Sequence, residues 1–313
     1  MLPFGLSQVE MAVRLGRSKS TISRELARNG GPSGRYTAVN AQRRYAQRRE
    51  PCRPATKLAS VALREAVEQR LRTEWSPEQI ADTLALEFPE DKAMHVSHET
   101  IYGHIYADKK RGGTLHQGLR RKHKKRRNRS HSKERRGIIK DRVPIHERPA
   151  IVETQARVGD WEGDTVIGKN HRGAVATFVD RKSLFLIAAV MPDKTAGALY
   201  DAALAAYLGT VPRRLRHTLT VDNGKEFAGF KDIEHALDID IYFAQPYCSW
   251  QRGINENTNG LLRQYLPKKT DFSTLTPEKL QTYVDKLNNR PRKKLGYRTP
   301  TQAFQAGIVA LRV

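Results

Sequence analysis

The sequence predicts a multidomain protein: an all-α N-terminal part, then a C-terminal α/β domain built on a mixed five-stranded sheet flanked by helices. Three observations carry this. The chain has 313 residues, too many for one ordinary core and suited to two or three domains. Apolar residues recur at helical spacing through the first hundred or so positions. After Gly159 the pattern changes to short runs rich in Val, Ile, Thr and Phe, bounded by Gly, Asp, Asn and Pro.

The first helical unit is "SQVEMAVRLGRSKSTISRELARN", Ser7 to Asn29. Ala12 lies four residues before Gly16, and Ile22 lies six after it. A small residue where two helices touch, Gly at the tight turn and an apolar lock on the second helix suit a helix-turn-helix. The second helix, from about Ser20 to Arg28, would present Ser20, Thr21 and Arg24 to a DNA major groove, with Arg28 nearer phosphate. An ordinary helical hairpin with a wet polar face is the alternative. A second such unit runs from Ser76 to Tyr106, where Ser76, Pro77 and Gln79 form a strong helix start and Ser97 opens another helix. Its His95, His98 and His104 have no cysteine or carboxylate pattern beside them that would make a metal site.

Charge is concentrated in the next segment. The whole chain carries 56 Lys and Arg against 33 acids, a formal +23, so its obvious large partner is a polyanion. From Lys109 to Arg142 there are 16 Lys and Arg against two acids, which supplies +14 of that total. Few apolar residues lie there, so the segment reads as a basic arm that binds phosphates without reading sequence. Two cysteines, Cys52 and Cys248, are too few and too far apart for a zinc module or a disulfide framework and fit a reducing cytosol. The longest apolar run, Leu184 to Met191, is far short of the roughly 20 residues of a membrane span. The N-terminus has no signal-peptide layout, so a cytoplasmic protein is expected.

Five strands follow: "GDTVIG", "GAVATFVD", "LFLIAAVM", "HTLTVDN" and "IYFA". The first three come in quick succession, as in an antiparallel meander. "DKTAGALYDAALAAYLG" then reads as a helix with Leu199, Ala203 and Tyr207 on one face and Gly209 at its end. Strand, helix and strand alternate up to Ala244, and helices finish the chain. The expected divisions are residues 1–55, 56–108, a basic linker over 109–149, and 150–313.

The carboxylates carry the chemistry. Asp222 ends a buried strand and precedes the turn-forming Asn223 and Gly224, which would release it into a cleft at the strand's exit. Asp160, Glu162 and Asp164 share one face if "GDWEGDTVIG" is extended. Three like charges on one face repel, so either the strand begins after Gly163 or a cation is present. Glu256 is followed by Asn259, Gly260 and Arg263 on one helical face, with Leu262, Tyr265 and Leu266 turned toward a core. Two strand-end Asp residues and a helix Glu are hard oxygen donors suited to Mg²⁺ or Mn²⁺. Two such ions can activate an attacking oxygen and stabilise a leaving one.

"WEGDTV", "TVDNGKEF", "PYCSWQRGINENTNGLLRQYLP" and "LNNRPRKKLGYRTP" resemble the signature blocks of the IS30 family of bacterial insertion-sequence transposases, over roughly Ser7 to Phe304. The resemblance implies a ribonuclease-H-like catalytic domain related to retroviral integrase, with Asp164, Asp222 and Glu256 as catalytic metal ligands for two Mg²⁺ or Mn²⁺ ions. Asp160, Glu162 and Glu226 would support them. Arg263 would touch the DNA backbone or orient Glu256, and Trp250, Gln251 and Arg252 would contact DNA near the cut, with a buried plug as the other role for Trp250. The implied activity is recognition of terminal inverted repeats in double-stranded DNA, cleavage, and joining to target DNA by a homo-oligomer on the bacterial nucleoid. A disabled copy acting as a DNA-binding regulator and a nuclease of the same fold are the rival readings. Relatives of this kind carry another helix ahead of "LSQVEMAVRLG", whereas only Met1 to Gly5 precede it here, so the first helix of a three-helix module is expected to be missing.

Overall fold

The computed structural model describes residues 5–30, 36–52, 56–120, 139–246 and 248–310. Two compact units divide the chain, Met1–Ser60 and Val61–Val313. Most of the basic segment, residues 121–138, lies outside the described residues.

The first unit contains α1 (Gln8–Arg14), α2 (Lys19–Asn29) and α3 (Ala38–Arg49). Ser7 opens α1 with a reciprocal capping box to Glu10, and Ser18 caps α2 through the Thr21 amide. Between them Gly16 takes a positive φ of 59°, the turn a residue with a β-carbon would resist. Ala12, Ile22 and Ala41 are buried, so α3 closes the apolar side of the pair. Arg48 donates to Asn29 Oδ1 at 2.8 Å and Tyr36 to Glu25 Oε1 at 3.1 Å, fastening α3 and its approach to α2.

In the second unit α4 (Val61–Arg72), α5 (Pro77–Glu87) and α6 (His98–Lys110) bury Leu63, Val67, Ile80, Leu84, Ile101 and Ile105 among themselves. The capping box at Ser76 and Gln79 is present. A short helix α7 (Ile151–Thr154) leads into the sheet of β1 (Asp160–Ile167), β2 (Ala174–Asp180), β3 (Leu186–Met191), β4 (Thr218–Val221) and β5 (Asp240–Phe243). Between strands run α8 (Ala196–Tyr207) and α9 (Phe230–Leu237), and after them α10 (Gly253–Leu262), α11 (Pro277–Asn288) and α12 (Pro300–Ala310).

The strand order is β3-β2-β1-β4-β5. β1, β2 and β3 form the antiparallel meander, while β4 pairs parallel to both β1 and β5. This mixed sheet covered by helices is the ribonuclease-H-like fold. One face packs Trp161, Phe178 and Leu219 against Leu199, Ala203, Tyr207 and Ile233 of α8 and α9. The other packs Val166, Val175 and Val179 against Leu261 and Leu262 of α10 and Leu280, Val284 and Leu287 of α11. Alternation along β1 therefore sends Trp161 into one core and Glu162, Asp164 and Val166 to the α10 side.

Two expectations change. β1 starts at Asp160 rather than after Gly163, for a reason given below. Helix α10 stops at Leu262, short of Tyr265 and Leu266; Leu262 and Leu266 are buried in the core, and Tyr265 packs its ring against the same cluster while its hydroxyl donates to Glu74 Oε2 at 2.5 Å. Glu74, Glu78 and Gln79 tie α4 and α5 to the C-terminal helices, through Tyr265, Lys293 at 2.7 Å and the Pro291 carbonyl at 2.6 Å. No helix among the described residues is long and apolar enough to cross a membrane.

Candidate active site

The acidic face of β1 is extended because each acid meets an arginine brought from elsewhere. Asp160 is gripped by Arg157 at 2.9 and 3.0 Å and accepts from Thr218 Oγ1 at 2.9 Å. Glu162 accepts from Arg181 at 3.0 Å. Asp164 Oδ1 lies 3.7 Å from Arg252 Nη1. Three guanidinium groups thus offset the repulsion that sequence reasoning assigned to a late strand start or to a bound cation.

Register places the second acid beside the first. In the parallel pair Asp160 sits opposite Thr218 and Glu162 opposite Thr220, so two residues further along Asp164 falls beside Asp222. There the chain leaves the sheet: Asp222 Oδ1 accepts the Gly224 amide at 2.8 Å, and Asn223 Nδ2 donates to the Ala244 carbonyl at 2.7 Å. Asp222 Oδ2 is 3.5 Å from Nη2 of the same Arg252, so one guanidinium faces both carboxylates. Burial pushes the Asp164 carboxyl up from its ordinary range; Arg252 pulls it down, and the neighbouring Asp222 charge pushes it up again.

Helix α10 completes the site from the other side. Asn259 donates to Asp164 Oδ2 at 3.0 Å and accepts from Thr177 Oγ1 at 3.0 Å. Asn255, fully buried, donates its side chain to the Glu162 carbonyl at 2.7 Å and the Thr177 carbonyl at 3.2 Å. Its backbone amide donates to Glu162 Oε2 at 2.9 Å. Burial pushes the Glu162 carboxyl up, and the Asn255 amide and Arg181 oppose that. Glu256, in the first turn of α10, is exposed and stands four residues after Arg252 and three before Asn259, on the helix side that meets Asp164. Among the described residues no three His, Cys, Asp or Glu side chains form a ready-made metal cluster; Asp164 and Asp222 are brought together at Arg252, and Glu256 is exposed in the first turn of α10. The donor chemistry still fits a hard divalent cation, because two carboxylates already converge on one positive centre.

The N-terminal residues 3–29 match a model described as a helix-turn-helix domain. Over its length the chain is 45% identical to the transposase for insertion sequence element IS4351 of Bacteroides fragilis, across 97% of this chain and 92% of that one. It is 38% identical to transposase InsI for insertion sequence element IS30A of Escherichia coli K12, across 95% of this chain and 78% of that one. The chain belongs to the IS30 family of insertion-sequence transposases. Among solved structures, the catalytic core domain of BIV integrase matches half of this transposase, 50%, and 99% of its own chain, at 19% identity and a TM-score of 0.38. That likeness is partial, and the fold assignment rests on the strand order itself.

The remaining predicted residues of the transposase fall into two groups. Ser20, Thr21, Arg24 and Arg28 are all exposed on α2, with Arg24 folded back onto the Ser20 carbonyl at 3.1 Å. Trp250 is 73% exposed, which removes the buried-plug role. Gln251 accepts the Gln245 amide at 2.8 Å and so braces the turn ahead of α10. Arg252 faces inward between the two aspartates, and Arg263 donates to the Ile167 and Leu266 carbonyls at 3.0 and 3.3 Å. Of the supporting acids, Glu226 accepts from Thr165 at 2.8 Å and from Lys194 at 2.9 Å. Sequence reasoning missed Asn255, Thr177 and Arg181. The spacing of Asn255 and Asn259, four apart around Glu256, was the available signal.

Proposed function

We propose that Asp164, Asp222 and Glu256 are the catalytic carboxylates of this transposase and that the chain cuts and rejoins DNA at the ends of its insertion element. The observation that carries the reading is the convergence of Asp164 and Asp222, from adjacent parallel strands, beneath the helix that bears Glu256. Family membership implies a divalent-cation cofactor; Asp164, Asp222 and Glu256 would hold Mg²⁺ or Mn²⁺, two ions in the active complex. Bound there, the cofactor supplies activation of the attacking oxygen and charge neutralisation at the leaving one.

This chain's own residues do the rest. Asn259 fixes the Asp164 carboxylate, while Asn255 and Glu162 hold the first turn of α10 against β1 and β2. Ser20, Thr21 and Arg24 read base edges in the terminal inverted repeats and Arg28 meets phosphate, so that the scissile bond is delivered in register. Water attacks the scissile phosphorus and the bond to the 3′ oxygen breaks, leaving a 3′ hydroxyl and a 5′ phosphate. That hydroxyl then attacks a phosphodiester of the target, one P–O bond forming as another breaks, so no ATP is consumed. Two ends must meet, which calls for a homo-oligomer on DNA.

The test is strand cleavage and joining of end-repeat DNA by the full chain with Mn²⁺. Asp164→Asn, Asp222→Asn and Glu256→Gln should each reduce product by about a thousandfold or more while leaving salt-dependent DNA binding nearly intact. Full cleavage by any one variant would remove that residue from the site.

A further inference from the structure

The three acids of β1 are not neutralised alike. Asp160 has a bidentate arginine at 2.9 and 3.0 Å, and Glu162 has Arg181 at 3.0 Å, both hydrogen-bonded pairs of ordinary length. Asp164 and Asp222 share a guanidinium that stands 3.7 and 3.5 Å away, at or beyond the reach of a hydrogen bond. Arg252 is nonetheless well shielded, its side chain only 12% exposed. Its one short contact to this strand is Nη1 to the Gly163 carbonyl at 3.1 Å, and its buried Nε has no hydrogen-bond partner. The guanidinium is therefore held in place mainly by charge, with its donors incompletely used.

We infer that Arg252 is an exchangeable counter-ion: it keeps Asp164 and Asp222 paired in the metal-free protein and gives them up to the divalent cation. This rests on the reading that the two aspartates hold that cation. The local backbone suits the exchange. Arg252 ends a 3₁₀ turn, Ser249–Arg252, whose Trp250 lies out in solvent, and Gly253, the first residue of α10, follows directly. An arginine leaving the aspartates along this exposed turn would face DNA phosphate, so nucleic acid assists the exchange and cation binding is tighter on DNA than off it. Arg157 and Arg181, hydrogen-bonded to their acids, stay put.

The experiment is Mn²⁺ titration of the full chain without DNA, followed by electron paramagnetic resonance, with folding of each variant checked by thermal unfolding. Arg252→Gln is expected to bind Mn²⁺ roughly tenfold tighter or more than the parent, since a positive charge about 4 Å from the site has been withdrawn. Arg252→Lys, which restores the charge, should return affinity toward the parent value. Lys194→Gln removes a nearby charge that is held by Glu226 rather than by either aspartate, and should change affinity by less than about twofold. Unchanged or weaker binding in Arg252→Gln, or an equal gain in Lys194→Gln, overturns the exchange. Asp164→Asn, alone and added to Arg252→Gln, separates the two readings: loss of the Mn²⁺ site in Asp164→Asn beside unchanged affinity in Arg252→Gln overturns the exchange alone, and loss of the tight site in the double variant supports both. Retention of the tight site shows that the cation lies elsewhere, which overturns the metal reading and the exchange with it.

Discussion

Replacing Asn255 by Ala should loosen the helix that carries Glu256, and the cost follows from the contacts. The side chain is fully buried and makes three hydrogen bonds: to the Glu162 carbonyl at 2.7 Å, to the Thr177 carbonyl at 3.2 Å and from Thr177 Oγ1 at 3.3 Å. A net hydrogen bond contributes about 1 kcal/mol, and a buried acceptor left unpaired costs about 1–3 kcal/mol. The longest of the three is weak, so the sum is about 2–4 kcal/mol. For a unit of this size that is a fall of roughly 5–15 °C in the unfolding midpoint. Fluorescence of Trp161, buried in the sheet core, follows unfolding of this unit in urea or on heating. Cleavage of end DNA should fall together with stability, because Glu256 is the next residue. Asn255→Asp should be at least as damaging, since it replaces the donor Nδ2 by a carboxylate oxygen facing the Glu162 and Thr177 carbonyls. A stability change below about 0.5 kcal/mol in Asn255→Ala, with cleavage intact, would refute the view that Asn255 positions α10.

Gly159 takes a φ of 110°, and a β-carbon there would lie 2.6 Å from His217 Cδ2 and 2.9 Å from the Leu215 carbonyl, so Gly159→Ala should cost more than about 2 kcal/mol in thermal unfolding. Burial and Arg157 hold His217 below the ordinary imidazole value. Its stabilising contribution is complete above about pH 6.5 and is lost as pH falls through that value and the lower folded one, so His217→Gln should flatten the loss of stability between about pH 7.5 and 5 in urea unfolding. Arg24→Ala, on an exposed face, should weaken binding to repeat DNA by about tenfold or more in a mobility-shift assay while leaving the unfolding midpoint within about 1 °C.

The fold was legible where local chemistry decides it. Five β-rich runs became five strands, and Gly16, Ser76 and Gly209 mark turns and helix ends because capping and positive φ are properties of single residues. What escaped was set by distant partners. The start of β1 depends on Arg157, Arg181 and Arg252, two of them far along the chain, and an acidic triplet read alone suggests only repulsion. Asp222 was legible as a candidate because it ends a strand; Asp164, which lies inside β1 rather than at a strand end, was singled out from Asp160 and Glu162 only by the family resemblance, and the pairing of the two depends on the register of β1 with β4. Arg252, a candidate DNA contact, faces the two aspartates, and Trp250, as suited to a core as to a rim, lies in solvent. Nothing in the sequence distinguishes those orientations, because both residues lie on a turn rather than a periodic element.

The most direct measurement is an anomalous-scattering map of the full chain crystallised with its end DNA and Mn²⁺. A peak ligated by Asp164, Asp222 and Glu256 at roughly 2.0–2.2 Å, with Arg252 turned away from the two aspartates, is the predicted result. A peak absent from this site, or one that engages the aspartates while Glu256 remains remote, would contradict the three-carboxylate assignment.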